Sequence, residues 1–278
     1  MIYLILAVVS SMLVSVCMRL SEGKTKNAIS VLAVNYAMCA LLSVGFAGSV
    51  NLLPRQEGLG FAVFLGIVSG AMFLCSFMLL QWNIRVNGVV LPATFMKLGV
   101  LVPTLVSMLA FGERPGLMQI GGMALALAAI VMIQQEKGGG SAKHPLGLIV
   151  LLLAGGCTDV LSKIYEEMGS PALKNHYLVY TFFIALGLCV LLAIVRGQRL
   201  TLADVGFGLL LGIPNYFSAR FLLLSLADVP AIVVYPSYSV GTIVLVALVG
   251  RFAFGERLSR RQTLAVAVIL AALVLLNL

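Results

Sequence analysis

The sequence predicts an all-α membrane protein: ten transmembrane helices arranged as two inverted five-helix repeats. Three observations carry that expectation. The chain is 61% hydrophobic and only 10% charged, with a mean hydropathy of +1.11. Its apolar residues gather into ten stretches, each near the length that crosses a bilayer. A polar phrase, FGER followed by a glutamine, occurs at 111–119 and returns at 254–262, a separation close to half of the 278 residues.

Soluble domains carry roughly 25% charged residues. A globular chain with this composition could not hide its apolar surface from water, whereas lipid is itself apolar. About 20 apolar residues cross a hydrocarbon core about 30 Å thick, and the chain has room for about ten such segments. They fall at roughly 2–20, 28–48, 59–82, 88–110, 116–134, 145–165, 176–195, 203–225, 229–250 and 262–277.

The first span begins at the N-terminus with no basic leader or small-residue cleavage pattern, so it reads as a span and not a cleaved signal. It ends at Arg19, read as an interface anchor. The joint SEGKTKN leads to span two, which carries Asn35 and Tyr36. Span three holds Gly66 and Gly70, and span eight holds Gly208 and Gly212. Small residues four apart let helix backbones approach closely. Pro92 opens span four and Pro236 opens span nine. The segment QEKGGGSAKHP is Gly/Ser-rich and reads as a flexible linker. It divides a first repeat, 1–134, from a second, 145–278, with 135–144 between them.

Five spans per half is an odd number. A second copy must therefore enter the membrane from the opposite side, giving the inverted repeat common among transporters. The charges agree. Alternating the loops puts Lys24, Lys26, Arg85, Lys137, Lys143, Arg196, Arg199, Arg251, Arg257, Arg260 and Arg261 on one side. Only Arg55, Arg114 and Lys174 fall on the other. Basic short loops stay in the cytoplasm, so both termini are expected on the non-cytoplasmic side of a plasma membrane (in bacteria, the inner one). Matched loops also swap bias: RGQR is basic where LLPRQEG has one cation, and FGERLSRRQ is basic where FGERPGLMQ is not.

In the repeated phrase, Gly112 and Gly255 follow long helices, where a residue able to take positive φ ends a helix. Glu113 and Glu256 precede the next helix, where a carboxylate suits the positive end of the dipole. The phrase reads as a tight helix-to-helix reversal. FGER, a glutamine and a small-residue helix, twice, each closing a five-span unit, resembles the EamA-type members of the drug/metabolite transporter superfamily. The resemblance covers the whole chain. It implies a secondary transporter, an exporter of small metabolites, with a cavity between the repeats lined by the third, fourth, eighth and ninth helices and helped by the first and sixth. Span nine departs from span four in carrying no lysine.

The candidate site residues are polar groups inside spans. Lys97 lies about nine residues into span four, where a cation costs at least roughly 2.5 kcal/mol; it fits a functional role, or a structural one bonded to carbonyls freed by Pro92 or paired with Asp159. Asp159 and Lys163 are spaced i, i+4 on span six, fit either for a structural pair or for a gate and proton site. Arg220 lies near one end of span eight. Tyr235, Tyr238 and Thr242 share a face of span nine, and Asn215 and Tyr36 are weaker candidates of the same kind. Intramembrane cations outnumber acids, which favours a carboxylate-bearing substrate such as an amino acid or organic acid.

Other classes have little to stand on. The basic residues sit in separate loops, which argues against nucleic acid. The five cysteines, Cys17, Cys39, Cys75, Cys157 and Cys189, lie in apolar runs and read as buried hydrophobes. No cofactor or metal is expected. An intramembrane enzyme would need a nucleophile with its base, or metal ligands. The only histidines, His144 and His176, lie in or near loops. The expected partners are a small-molecule substrate and the lipid bilayer, in a monomer or homodimer, with proton coupling through Asp159 left open. A lipid or lipid-linked-sugar flippase is the alternative within transport, and a receptor or accessory subunit outside it.

Overall fold

The computed structural model describes residues 2–46, 51–99, 101–102, 106, 116–134, 143–228, 231–256 and 258–276. The described residues are helical apart from short joints. The helices are α1 (Ile2–Ser21), α2 (Ala28–Phe46), α3 (Leu59–Asn87), α4 (Val90–Leu98), α5 (Leu117–Gln134), α6 (Pro145–Met168), α7 (Lys174–Val195), α8 (Leu202–Asp228), α9 (Ala231–Ala253) and α10 (Arg260–Leu276). A 3₁₀ turn, Pro171–Leu173, leads into α7. Their positions follow the ten apolar stretches. Most of the far half of the predicted fourth span lies outside the described residues, as do most of the linker and Gly112, Glu113 and Arg114.

Among the described residues five stretches are long and apolar enough to cross a membrane: Ile2–Ser21, Ala28–Phe46, Leu59–Asn87, Pro145–Tyr165 and Pro171–Val195. Large apolar side chains point away from the protein along them, among them Leu41, Phe64, Leu191 and Ile194. Exposed apolar side chains in such density would be costly in water and are at home against lipid. The chain is a membrane-embedded helical protein.

Two glycine pairs set close crossings. A Cβ on Gly66 would stand 2.6 Å from Cβ of Tyr180, and one on Gly70 would stand 2.6 Å from the Thr181 carbonyl. On α8, a Cβ on Gly208 would meet Val34 at 2.5 Å, and one on Gly212 would meet Met38 at 2.6 Å. So α3 lies against α7, and α8 against α2, with backbones nearly touching. Further pairings join α1 to α8 and α9, α6 to α3 and α4, α2 to α7, α4 to α9, and α5 to α10. Pro214 sits inside α8 and has no N–H to offer the Leu210 carbonyl. The Cys17 thiol of α1 lies 3.8 Å from that oxygen. Thr201 and Asp204 cap the start of α8 reciprocally: the Thr201 N–H donates to Asp204 Oδ2 at 3.0 Å, and the Asp204 N–H to Thr201 Oγ1 at 3.2 Å.

The joints meet in two groups. In one, Asn27 Nδ2 donates to the Arg199 carbonyl (2.8 Å), the Lys143 N–H to Asn87 Oδ1 (2.9 Å), and the Val89 N–H to Glu256 Oε1 (2.7 Å). In the other, His176 Nε2 bonds the Asn51 carbonyl (3.1 Å) and the Tyr180 hydroxyl donates to the Leu52 carbonyl (2.8 Å). The first group holds most of the described loop cations and is called here the basic end; Arg55 and Lys174 flank the second.

Three features differ from the sequence reading. Cys17, Cys39 and Cys189 are buried, but Cys75 and Cys157 are exposed. They occupy outward positions on α3 and α6, whose facing residues Ser76 and Thr158 bond at 3.1 Å instead. Arg19 is more than an interface anchor, since its guanidinium bonds Glu22 at 2.5 Å. Gly255 does take positive φ, at 63°, as the helix reversal requires. Glu256, however, turns away from α10 and receives the amides that open α4: Val89 N–H at 2.7 Å and Val90 N–H at 3.3 Å. Two orphan N–H groups and a helix dipole there outcompete the start of α10.

Candidate functional site

The site is built around Lys97. Its Nζ lies 3.8 Å from the centre of the Tyr238 ring on α9. A cation over an aromatic face gains roughly 0.5–2 kcal/mol, more as water is withdrawn. The Tyr238 hydroxyl is bonded to Ser218 Oγ on α8 at 2.9 Å and is also within hydrogen-bonding reach of Ser11 on α1. Asp159, on α6, lies within electrostatic reach of the Lys97 ammonium. Five helices therefore converge. Ser11 and Lys97 come from the first half of the chain; Asp159, Ser218 and Tyr238 come from the second.

Local sequence explains the convergence. Gly99 follows Lys97 by two residues, and Gly155 and Gly156 precede Asp159 by about one turn. A Cβ on Gly99 would stand 2.8 Å from the Gly156 nitrogen, and one on Gly156 would stand 2.4 Å from a Val102 methyl. The absence of side chains at this crossing brings α4 and α6 close enough for the lysine and aspartate to sense each other. Asp159 is exposed and Lys97 partly exposed, while Ser11 and Ser218 are buried beneath Tyr238. Lys97 lies in the last turn of α4 and Asp159 within α6; an exposed carboxylate beside a partly exposed ammonium among apolar helices is the arrangement expected of a water-filled recess.

The other candidates divide. Lys163 is half-buried one turn beyond Asp159. Arg220 does not join the site. It lies two residues after Ser218 and so on the far side of α8, with its guanidinium 4.2 Å from the Phe46 ring centre and NH1 donating to the Tyr216 hydroxyl at 3.2 Å. Asn215 is buried against α2, its Nδ2 donating to Asn35 Oδ1 at 3.1 Å. Tyr36 is fully buried between Phe77 and Phe182, and its hydroxyl has no hydrogen-bond partner among the described residues. Asn215 and Tyr36 therefore belong to the packing of α2 against α7 and α8. Thr242 bonds its own helix at the Tyr238 carbonyl, 2.7 Å away. The Tyr235 side chain lies outside what the structure describes. Among the described residues no three His, Cys, Asp or Glu side chains are grouped to hold a metal.

Sequence reasoning missed Ser11 and Ser218. Both are ordinary serines in apolar helices, and nothing in their neighbourhood marks them apart from the many others. It also missed the glycines at 155 and 156, which sit four to three residues before Asp159 and were the available signal.

The fold and site thus define a membrane-embedded helical protein with a charged, partly open site between its two halves. No family model matches the sequence. The chain is similar to an uncharacterised protein of Haemophilus influenzae, 26% identical over 291 aligned residues that cover 97% of this chain and 95% of that one. It is also similar, at TM-score 0.65 and 16% identity, to a protein of known crystal structure, covering 99% of this chain and 94% of the other. That likeness shows the fold over the full length and no more.

Proposed function

We propose that the chain is a ten-span secondary transporter of the EamA-like drug/metabolite type, exporting a small carboxylate-bearing metabolite across the plasma membrane. The observation that carries this reading is the Lys97 site, a cation and an acid brought together within apolar segments by helices from both halves of the chain. Such groups are expensive in a bilayer unless they meet protein, water or a ligand. The ammonium is placed to receive a carboxylate, and Asp159 to face a substrate amine or to carry a proton. Tyr238 holds the lysine from the opposite half, so relative motion of the halves would change what surrounds the cation. That is what alternating access requires.

Internal symmetry supports the inverted repeat. Exchange of α1–α5 with α6–α10 turns the α1–α8 pairing into α6–α3, α2–α8 into α7–α3, and α1–α9 into α6–α4. The α2–α7, α4–α9 and α5–α10 pairings turn into themselves. The tight glycine pairs exchange as well, Gly66 and Gly70 for Gly208 and Gly212. With five helices in each unit, such a pattern suits an axis in the membrane plane.

The test is flux into proteoliposomes from a panel of amino acids and organic acids. Lys97→Ala should insert at normal abundance and lower the initial rate of the transported compound at least about tenfold, the loss of a charge-assisted contact. Normal flux in that variant would remove Lys97 from the site.

A further inference from the structure

At the basic end, four helix termini are tied by one chain of charges. Glu22, just past α1, bonds Arg19 at 2.5 Å and lies 3.3 Å from Arg85 Nε at the end of α3. Arg19 Nε is also 3.8 Å from Glu256 Oε1. Glu256 in turn holds the first amides of α4, at Val89 and Val90. Its side chain is only 12% exposed, and Gly88, at φ 78°, lies directly beneath it. A Cβ on Gly88 would stand 2.7 Å from the Glu256 carboxylate, so only glycine leaves room for this cap. The connection runs between halves: Arg19, Glu22, Arg85 and α4 belong to the first, Glu256 to the second.

Toward the basic end the site is walled off: every residue from Val90 to Phe95 is buried before Lys97 is reached. Asp159, beside Lys97, is exposed. The recess is therefore shut behind α4.

We propose that Glu256, with Arg19, Glu22 and Arg85, is a latch that holds the Lys97 recess closed at the basic end. The proposal rests on the transport reading of that recess. When the halves move to expose the site at the basic end, the carboxylate must leave the α4 amides, or carry α4 with it. Its hold then sets how often that state is visited.

The test uses the full chain with Asp159→Cys, in inside-out and right-side-out vesicles. The thiol at 159 is reacted with a membrane-impermeant maleimide and read by peptide mass spectrometry, so the native cysteines can stay. With the latch intact, labelling should come from the face opposite the basic end. Adding Glu256→Ala should raise labelling from the basic end about tenfold or more, the effect of losing charge-assisted hydrogen bonds on a two-state population. Glu256→Gln keeps an acceptor for one amide but loses the charge that attracts Arg19, so it should fall between. It also serves if the alanine variant does not fold. Labelling from the basic end that stays at its starting level in both variants overturns the latch alone. A thiol at 159 that reacts from neither face in any variant overturns the open recess, and the transport reading falls with the latch.

Discussion

Lys97 places an ammonium where a lone charge would cost at least roughly 2.5 kcal/mol, and the structure shows two groups that lower that cost, the Tyr238 ring and Asp159. The ring and the hydroxyl of Tyr238 can be separated. Tyr238→Phe keeps the π face and loses the bonds to Ser218 and Ser11, which are neutral contacts of about 1 kcal/mol each. Tyr238→Leu loses the face as well. Initial rates should fall roughly tenfold to thirtyfold in the first and further in the second. Equal losses in both would shift the weight from the ring to the hydroxyl. At this scale the sequence marks Lys97 and Asp159, because a charge in an apolar run is conspicuous, and Tyr238 as part of a face of hydroxyls; the structure brings these three side chains together. Arg220 was named on the same ground but lies elsewhere, since charge says nothing of rotation. Two positions from Ser218 is about 200° around a helix. The direction in which Ser218 points became known only with its partner.

Most helix positions were legible to within a few residues, because apolar run length and glycine-rich, charged joints mark their ends; α3 runs five residues past its expected end and α4 stops at Leu98, well short of the expected 110. Their contacts were legible where glycines recur four apart. Here the structure makes a sharp comparison. Gly212→Ala would drive a methyl to within 2.6 Å of Met38 Cβ and 2.7 Å of the Asn35 carbonyl, and backbone cannot yield as a long side chain can. Overpacking of this kind costs roughly 1–3 kcal/mol. Gly187→Ala, inside α7, meets nothing within 4 Å and should be neutral or gain roughly 0.5–1 kcal/mol of helix propensity. Thermal melts in detergent should show Tm falling for the first and holding or rising for the second. A fall of similar size in both would mean that the α2–α8 crossing is looser than the geometry requires. The destination of Glu256 was not legible. A carboxylate three residues past a helix looks like a cap for the next one, and its actual partner, the α4 amides, is more than 160 positions away in sequence.

At the scale of the molecule, the repeated phrase acquires a physical reason. At its second copy, described by the structure, it both turns the chain and ties the second half to the helix that carries Lys97. The proposed duplication rests in the sequence on the phrase, the glycine pairs and the prolines, which return at nearly one spacing. The proposed opposite threading rests there only on charge bias, a statistical preference of loops. The helix pairings that exchange with each other are what raise it to a structural expectation. That expectation is tested most directly by sidedness. Lys24→Cys and Lys174→Cys, introduced separately, are exposed to an impermeant thiol reagent on intact cells and on inverted vesicles. The account predicts that position 174 reacts from outside and position 24 from the cytoplasmic face. Reaction of both from one face would contradict it.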